Sequence, residues 1–288
     1  MVETVQAAGT TSSAGPEPAL VRREGADGIV RLTLTRGDRY NPLSRPMIAA
    51  LQAELDALAG DAGARVVVLA AEGRGFCAGH DLTEMRAHAD DAAWQAALFE
   101  ECNRLMISLT TIPQPVIARV HGIATAAGCQ LVSMCDLAVA ADTARFALPG
   151  VNIGVFCSTP AVGVARSVGR KRALEMLLTG TPIDAATAIE WGLVNRVVPA
   201  ERLDAEVDEL ARALLARSAP VLANGKRTFY AQIDQPLDTA YGVAADAMVR
   251  DLSAPDAAEG IDAFLEKRSA RWSSTRDGDH GGSAGGRD

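Results

Sequence analysis

Residues 120–136, which read VHGIATAAGCQLVSMCD, combine small residues in a way that could expose backbone N–H groups. The small residues join an apolar run, residues 115–120, to a stretch with a helical spacing of apolar positions. The first N–H groups of a helix have no intrahelical acceptor, and the helix dipole favours negative charge beside them. Small side chains also let a ligand oxygen approach the backbone closely. The stretch therefore indicates an oxyanion or phosphate site or, equally well, tight strand–helix packing, and it lacks the Lys of a phosphate loop.

A second turn of the same kind follows residues 66–71, VVVLAA, a continuous apolar run typical of a strand that is buried on both faces. The turn itself, EGRGFCAGHDL at residues 72–82, is rich in glycine and carries the apolar side chain of Phe76. Two such turns in one chain can each aim one N–H group at a single oxygen atom. Paired donors of this kind stabilise an enolate or a tetrahedral oxyanion on a thioester or an ester.

Taken together, the two turns resemble those of the crotonase (enoyl-CoA hydratase/isomerase) superfamily. FCAGHDL at residues 76–82 is similar to the family pattern F-x-A-G-x-D-[LI], and residues 121–136 are similar to the second oxyanion loop. The resemblance runs in order through roughly residues 25–272, with further matches at residues 36–43, 148–154, 175–180, 185–194 and 264–268. It is strongest with the subgroup called enoyl-CoA hydratase domain-containing protein 3, which shares the GCQL and FCSTP segments.

The resemblance implies an α/β fold, with a crotonase-like β/α spiral core and a C-terminal helical trimerisation region. We expect the core to span residues 19–200 and the helical region residues 201–272, with disordered tails at residues 1–18 and 273–288. The resemblance also implies a homotrimer or a dimer of trimers. The expected ligand is an acyl-CoA thioester, with coenzyme A as part of the substrate, no separate cofactor and no metal ion.

The family holds the thioester carbonyl with two backbone N–H groups, which by position fall at His80 and Ala127. The resemblance also implies that coenzyme A lies against two loops, formed by Asp38, Arg39, Tyr40, Ala78, Asp81 and Leu82. A solvated turn explains Asp38 and Arg39 equally well, and Asp81 is a preferred residue for capping the helix that follows. The His80 imidazole could titrate near neutral pH, although packing against the pantetheine arm is the interpretation that we favour.

The two glutamates that usually transfer protons in hydratases fall, by position, at Gln130 and Gly150. A neutral amide can hold a water molecule but cannot accept its proton, and Gly150 is expected to leave open space where a carboxylate would stand. Cys157 or Ser158 could act as a replacement nucleophile. The alternative, which we favour, is that Ser158 or Thr159 caps a helix that begins at residue 160.

These features predict an enzyme of the enoyl-CoA hydratase/isomerase type, a lyase, whose hydratase activity is weak or altered. The two loops that resemble the family's oxyanion donors are present, whereas neither position that the resemblance gives to the acid–base pair carries a carboxylate. Two alternatives stay open at this point. One is a non-catalytic acyl-CoA-binding protein, and the other is a thioester hydrolase or isomerase that uses other residues.

The composition limits which binding partners and which cellular compartment are expected. The net charge of −8 and the lack of a basic stripe argue against nucleic acid as a partner. No apolar run approaches about 18 residues, so no membrane span is expected. The five cysteines are scattered without metal spacing, and no basic residue precedes Arg22. These features predict a cytoplasmic protein with reduced thiols.

The elements that position the two turns follow from the hydrophobic pattern. Alternation predicts a strand at residues 28–34, and Ser44 is expected to cap a helix that ends at Gly60. Apolar spacing predicts a second helix over residues 94–109, whereas the charged residues 84–91 predict a mobile, lid-like segment. From residue 203 onward the pattern is helical, in the segments 203–216, 220–233, 237–252 and 256–267.

Overall fold

The computed structural model describes residues 19–273, in which two β-sheets are surrounded by helices. The strands are β1 (Val21–Ala26), β2 (Ile29–Leu34), β3 (Val66–Ala71), β4 (Gly75–Cys77), β5 (Val116–Val120), β6 (Ile123–Thr125), β7 (Leu137–Ala141), β8 (Arg145–Ala147), β9 (Ile183–Asp184) and β10 (Arg196–Val198). The helices are α1 (Arg45–Ala59), α2 (Leu82–Ala87), α3 (Ala92–Thr111), α4 (Ala127–Met134), α5 (Ser158–Val168), α6 (Arg170–Thr179), α7 (Ala185–Trp191), α8 (Leu203–Leu215), α9 (Ala219–Gln232), α10 (Leu237–Leu252) and α11 (Pro255–Leu265). The tail expected at residues 1–18, and all but Ser273 of the tail expected at residues 273–288, lie outside the described residues.

Parallel pairing organises both sheets. The larger sheet has the strand order β1-β2-β3-β5-β7-β10, in which only β1 and β2 pair antiparallel. The smaller sheet has the order β4-β6-β8-β9, in which β4, β6 and β8 are parallel and β9 is antiparallel to β8. Neighbouring parallel strands are joined through helices, which confirms the predicted α/β fold class.

Strand β3 lies inside the larger sheet, and all six of its residues are buried. Val67 and Leu69 belong to the main core, whereas Val66 and Val68 belong to a second core that includes residues of α8. Because side chains alternate between the two faces of a strand, a strand that is covered on both faces needs an apolar residue at every position. The predicted strand at residues 66–71 is therefore confirmed, together with the reason for its composition.

Helices α1 and α3 pack against each other and contribute apolar faces to the main core. The Ser44 side chain accepts a hydrogen bond from the N–H of Met47 at 3.3 Å, and α1 ends before Gly60, so the predicted helix is confirmed. Helix α3 ends at Thr111, before Pro113, as the spacing predicts. The buried apolar positions of the two helices are Met47, Ile48, Leu51, Leu55, Leu58, Leu98, Cys102, Leu105, Met106 and Leu109.

The lid-like segment expected at residues 84–91 is instead a short helix and a turn. Helix α2 covers its first half, residues 84–87, and the Asp81 carboxylate caps the N-terminus of this helix. Glu84 accepts a hydrogen bond from the backbone N–H of Arg45 at 2.9 Å. The His88 ring stacks on the Trp94 ring, with the two ring centroids 4.2 Å apart. Capping and contacts with α1 and α3, which apolar spacing cannot reveal, hold this segment. Its expected mobility stays a prediction.

Helix α5 also differs from its prediction. It begins at Ser158 rather than at residue 160, and no side chain caps it. Pro160 is accommodated in the first turn, where its missing N–H costs no intrahelical hydrogen bond. The Ser158 hydroxyl donates to the carbonyl of Phe156 at 3.4 Å, so the expected cap by Ser158 or Thr159 was wrong.

A buried ion pair fastens α9 to the core. Lys226 Nζ lies 2.6 Å from Asp136 Oδ2 and also donates to the carbonyl groups of Leu109 and Gln114. The Tyr230 hydroxyl donates to the other carboxylate oxygen of Asp136 at 2.9 Å. Burial raises the pKa of Asp136, and the hydrogen bonds that this carboxylate accepts oppose the rise. Every donor of Lys226 has an acceptor, so the pair fixes α9 in one position.

Helices α9, α10 and α11 expose many large apolar side chains. More than half of the surface of the side chains of Leu237, Tyr241, Phe264 and Leu265 is accessible in the single chain. An exposed apolar surface of this kind is typical of an interface between subunits. The expected homotrimer or dimer of trimers stays a prediction.

Within residues 19–273, no helix is long and apolar enough to cross a membrane. In the same range, no three His, Cys, Asp or Glu side chains are grouped so that they could hold a metal ion. All five cysteines of the chain are buried and free.

Candidate functional site

The two small-residue turns meet at one end of the smaller sheet. Strands β4 and β6 are parallel neighbours, so the turns that follow them leave the same edge. The Thr125 hydroxyl donates to the carbonyl of Ala78 at 2.9 Å, and a Cβ atom placed on Gly79 would lie 3.1 Å from the nitrogen of Ala127. The structure thus brings together the two loops that the sequence places 47 residues apart.

Each turn presents one backbone N–H group without a partner. Among the described residues, neither the N–H of His80 nor that of Ala127 donates to an acceptor. Gly79 has a φ of 88°, and Ala126 has a φ of 49°, which is an unfavourable value for a residue with a Cβ atom. These two conformations set the direction of the N–H group that follows each of them. Two free donors on neighbouring turns can bind one oxygen atom.

Packing explains part of the small-residue pattern as well. A Cβ atom on Gly128 would lie 2.1 Å from the carbonyl oxygen of Cys77, so α4 approaches β4 too closely for any side chain at this position. The two interpretations of residues 120–136, a donor site and tight packing, therefore each apply to a different residue. Gly128 is required for packing, and Ala127 carries a free donor.

An apolar cavity of about 680 Å³ opens beside the two turns. The N-terminal residues of α4 and α5 both form part of its wall, so the positive ends of two helix dipoles face it. A cavity of this size holds a small organic ligand. Its lining residues are Ala78, His80, Leu82, Met85, Phe99, Thr125, Ala126, Ala127, Pro149, Gly150, Asn152, Ile153, Val155, Phe156, Cys157, Ser158, Thr159 and Pro160.

The His80 imidazole lines this cavity and packs against Phe99 of α3. The two rings lie edge to face with their centroids 5.5 Å apart. The Nε2 atom of His80 is buried and has no hydrogen-bond partner among the described residues. Burial lowers the pKa of His80 to about 4, so the ring is neutral near pH 7.

Gln130 and Gly150, where the resemblance places the two usual glutamates, do not offer an open place for a carboxylate. Gln130 is buried within α4, is not part of the cavity wall, and its Oε1 atom has no hydrogen-bond partner in residues 19–273. Gly150 does line the cavity, but a Cβ atom there would lie 2.6 Å from the carbonyl oxygen of Val155 and 2.8 Å from Cys157 Sγ. The expectation of open space at Gly150 was wrong, because the segment that follows folds back onto this glycine.

The two suggested substitute nucleophiles, Cys157 and Ser158, both line the cavity. Burial raises the pKa of the Cys157 thiol, and a hydrogen bond from the backbone of Gly150 opposes that rise. A raised pKa keeps the sulfur protonated, which makes it a poor nucleophile. The Ser158 hydroxyl donates its hydrogen bond to a carbonyl rather than to a base, so nothing in the described residues activates it.

The residues expected to contact coenzyme A divide into two groups. Ala78 and Leu82 line the cavity, whereas Asp38, Arg39 and Tyr40 are exposed on the neighbouring turn. The two groups are linked, because Ala78 N donates to the carbonyl of Tyr40 at 2.9 Å and Arg39 lies 3.4 Å from the carboxylate of Asp81. Asp81 also accepts hydrogen bonds from two backbone N–H groups at the start of α2, so its capping role is observed.

Asn41 is a positioning residue that the sequence reasoning overlooked. It is fully buried, and its Nδ2 atom donates to the carbonyls of Glu72, Gly75 and Phe76 at 2.9–3.2 Å. Its φ of 50° is one that asparagine tolerates better than most residues. Asn41 belongs to the segment 36–43 that resembles the family, but its spacing in the sequence does not predict that it holds the neighbouring turn.

Phe99 and Met85 were also overlooked as cavity residues. Phe99 lies next to Leu98 on α3, and Met85 lies on the segment that was expected to be a lid. The apolar stripe that predicted α3 included Leu98 rather than Phe99. No local pattern indicates which of the two neighbours faces a ligand cavity.

Parallel sheets, a helical C-terminal region and two donor turns beside an apolar cavity define the class of crotonase-fold proteins. The profile of the family described as Enoyl-CoA hydratase/isomerase matches residues 24–275, and the chain belongs to this family. The predicted crotonase-like fold is thereby confirmed.

Among relatives, Enoyl-CoA hydratase domain-containing protein 3, mitochondrial, from Mus musculus is 46% identical over 266 residues, which cover 91% of this chain and 88% of the relative. An enoyl-CoA hydratase structure from Mycobacterium smegmatis is 49% identical with a TM-score of 0.87, and the match covers 89% of this chain and 99% of that one. The structure of human enoyl Coenzyme A hydratase domain-containing protein 3 is 44% identical with a TM-score of 0.85. The match covers 88% of this chain and 100% of that one. The resemblance to that subgroup is confirmed.

The relatives contradict the expected cytoplasmic location. The mouse protein and four further vertebrate relatives, which are 43–46% identical to this chain, carry the word mitochondrial in their names. The expectation rested on the composition before Arg22. It was wrong because neither scattered cysteines nor the lack of a basic residue before Arg22 determines the compartment of a protein.

Proposed function

We propose that this protein binds acyl-CoA thioesters and holds the thioester oxygen with the backbone N–H groups of His80 and Ala127. The observation that carries this proposal is the pair of unpartnered donors on adjacent turns beside an apolar cavity. Donors fixed in a site that excludes water stabilise the negative charge of an enolate, and the N-termini of α4 and α5 act in the same direction. The cavity accommodates the acyl chain.

Positive charge for the phosphates of coenzyme A is available at the exposed turn beside the cavity. Arg39 lies in this turn, and the guanidinium of Arg74 lies 5.9 Å from the centre of the Tyr40 ring. A cation above an aromatic ring leaves its N–H donors free for an anion. We therefore assign Asp38, Arg39 and Tyr40 to the nucleotide end of the ligand and Ala78, Asp81 and Leu82 to the loop that borders its arm.

The same proposal includes weak or altered hydratase activity. Hydration needs a base that takes a proton from water and an acid that delivers one to the α carbon. The cavity wall contains no Asp or Glu among the described residues. Each positioned acid or base accelerates the reaction by about 10²–10⁴, and the contributions of two groups that act on one water molecule do not simply multiply. Turnover of crotonyl-CoA is therefore expected to lie at least about 10³-fold below that of a relative with two glutamates.

The Ala127→Pro variant tests the second donor. Ala127 is the first residue of α4, a position where helices tolerate proline, so the change removes the N–H and leaves the helix possible. Loss of one oxyanion donor lowers the rate by about 10²–10³, measured as hydration of crotonyl-CoA. Ala127→Gly keeps the N–H and serves as the control, with a rate close to that of the unchanged protein. Equal rates for both variants, with folding confirmed by circular dichroism, would refute the assignment.

A second candidate function is favoured by the absence of a carboxylate from the cavity wall. The chain would then bind acyl-CoA without turning it over, or it would hydrolyse or isomerise thioesters through other residues. Calorimetric binding of butyryl-CoA, combined with a turnover assay on a thioester panel, separates these functions. Binding without turnover selects the non-catalytic binder, and release of free coenzyme A selects the hydrolase.

A further inference from the structure

The His80 side chain differs from two other polar side chains that line the cavity, those of Thr125 and Ser158. The hydroxyls of Thr125 and Ser158 both donate to backbone carbonyls. The His80 ring forms no hydrogen bond with any described residue. Its Nε2 atom is buried, whereas Nδ1 is not, so Nδ1 is the ring nitrogen that a ligand in the cavity can reach.

The rest of the wall around this ring is mainly apolar. Phe99 packs against the imidazole, and Met85 and Leu82 complete the wall on the side of α2 and α3. An alkyl chain bound there would cover Nδ1 without offering it a hydrogen bond. Covering a polar atom in this way is unfavourable, whereas a ligand with a hydroxyl or an oxo group would satisfy it.

The position of His80 limits where on the ligand that group can be. The backbone N–H and the side chain belong to one residue, so Nδ1 lies within about 5 Å of the backbone nitrogen by bond lengths alone. If the N–H holds the thioester oxygen, a group that bonds to Nδ1 must lie close to the thioester. On the acyl side, the β carbon meets this condition because only the α carbon separates it from the carbonyl.

We propose that His80 is a specificity residue whose Nδ1 atom hydrogen-bonds to a hydroxyl or oxo group on the β carbon of the acyl chain. This inference rests on the proposed function, since it requires an acyl-CoA held by the two backbone donors. The ring is neutral near pH 7, so the contact with a hydroxyl or oxo group is a hydrogen bond between neutral groups.

The test compares two ligands that differ by one oxygen atom, 3-hydroxybutyryl-CoA and butyryl-CoA, by isothermal titration calorimetry with the full chain. The unchanged protein should bind the hydroxylated ligand roughly tenfold more tightly, the effect of one satisfied buried polar group. In His80→Phe, which keeps the backbone N–H and an aromatic ring beside Phe99, the preference should vanish. In His80→Gln, which keeps a hydrogen-bonding group, part of it should return.

The outcomes separate this inference from the proposed function. Equal affinity of the unchanged protein for both ligands overturns the inference and leaves the proposed function intact, and this result needs no variant to fold. An equal loss of affinity for both ligands in His80→Phe also overturns it, because the contact then belongs to the pantetheine arm. Absence of binding of either ligand refutes the proposed function and the inference with it.

Discussion

A side chain at position 150 is expected to disturb the cavity wall rather than to restore proton transfer. A Cβ atom on Gly150 would lie 2.6 Å from the carbonyl oxygen of Val155, 2.8 Å from Cys157 Sγ and 3.2 Å from Cys157 N. Contacts below 3.0 Å are essentially never seen for real Cβ atoms. The N–H of Val155 also donates to the carbonyl of Gly150 at 3.0 Å, which holds the two residues together. The segment must therefore move to admit even a methyl group.

The size of the effect follows from two opposing contributions. Overpacking of a well-packed site costs about 1–3 kcal/mol. Loss of backbone freedom in the unfolded chain returns about 0.4–1 kcal/mol when glycine becomes alanine in a permitted conformation. Gly150→Ala should therefore lower the free energy of unfolding by about 1–2 kcal/mol. Gly60→Ala is the control, because no atom of the described part of the chain lies within 4 Å of its Cβ position and its φ is −104°, so no loss is expected.

Urea unfolding followed by circular dichroism measures this difference. Adding Cys157→Ala to Gly150→Ala should recover only part of the loss, because the sulfur contact disappears while the contact with the carbonyl of Val155 remains. Gly150→Glu should hydrate crotonyl-CoA no faster than the unchanged protein, with or without Gln130→Glu. A Gly150→Ala protein within about 0.5 kcal/mol of the unchanged one, a typical surface effect, would refute this reasoning, as would a tenfold faster Gly150→Glu.

Two further predictions concern the C-terminal helices. Lys226→Met should destabilise the protein by about 3–5 kcal/mol in urea unfolding, because Asp136 would stay buried without its cation, whereas Lys171→Met on an exposed face of α6 should change little. An equal, small effect of both changes would show that Asp136 is satisfied without Lys226. Light scattering at micromolar concentration should give the mass of a trimer or a hexamer, because α9–α11 expose apolar side chains that a partner would cover. A monomer or a dimer at that concentration would exclude the expected assembly.

The parts of the fold that the sequence predicts are those decided by neighbouring residues. The apolar run of β3, the Ser44 cap of α1 and the stripe of α3 each depend on local spacing, and the structure confirms all three. The two donor turns are local in the same sense, since small residues between a strand and a helix leave N–H groups free. Their meeting at one edge depends on the parallel pairing of β4 and β6, which only the family resemblance implied.

The parts that the sequence does not predict depend on how distant segments fold back. A glycine at position 150 reveals that a side chain is missing, but not that Val155 and Cys157 occupy the vacant volume. In the same way, Gln130 follows the donor turn by one helical turn, yet it is buried outside the cavity wall. Phe99 reaches the cavity because α3 packs across the site, a tertiary contact that its own helix does not encode.

The main-chain origin of the two donors affects how this protein can change over generations. A peptide N–H has no side chain to lose, so every substitution except proline leaves it in place, and ordinary drift cannot erase it. Around it, His80, Met85 and Phe99 can be exchanged through single codon changes. A lineage of such proteins can therefore acquire new cavity side chains while the two backbone donors are inherited unchanged. Only the conformations of Gly79 and Ala126, which aim the two donors, restrict this freedom.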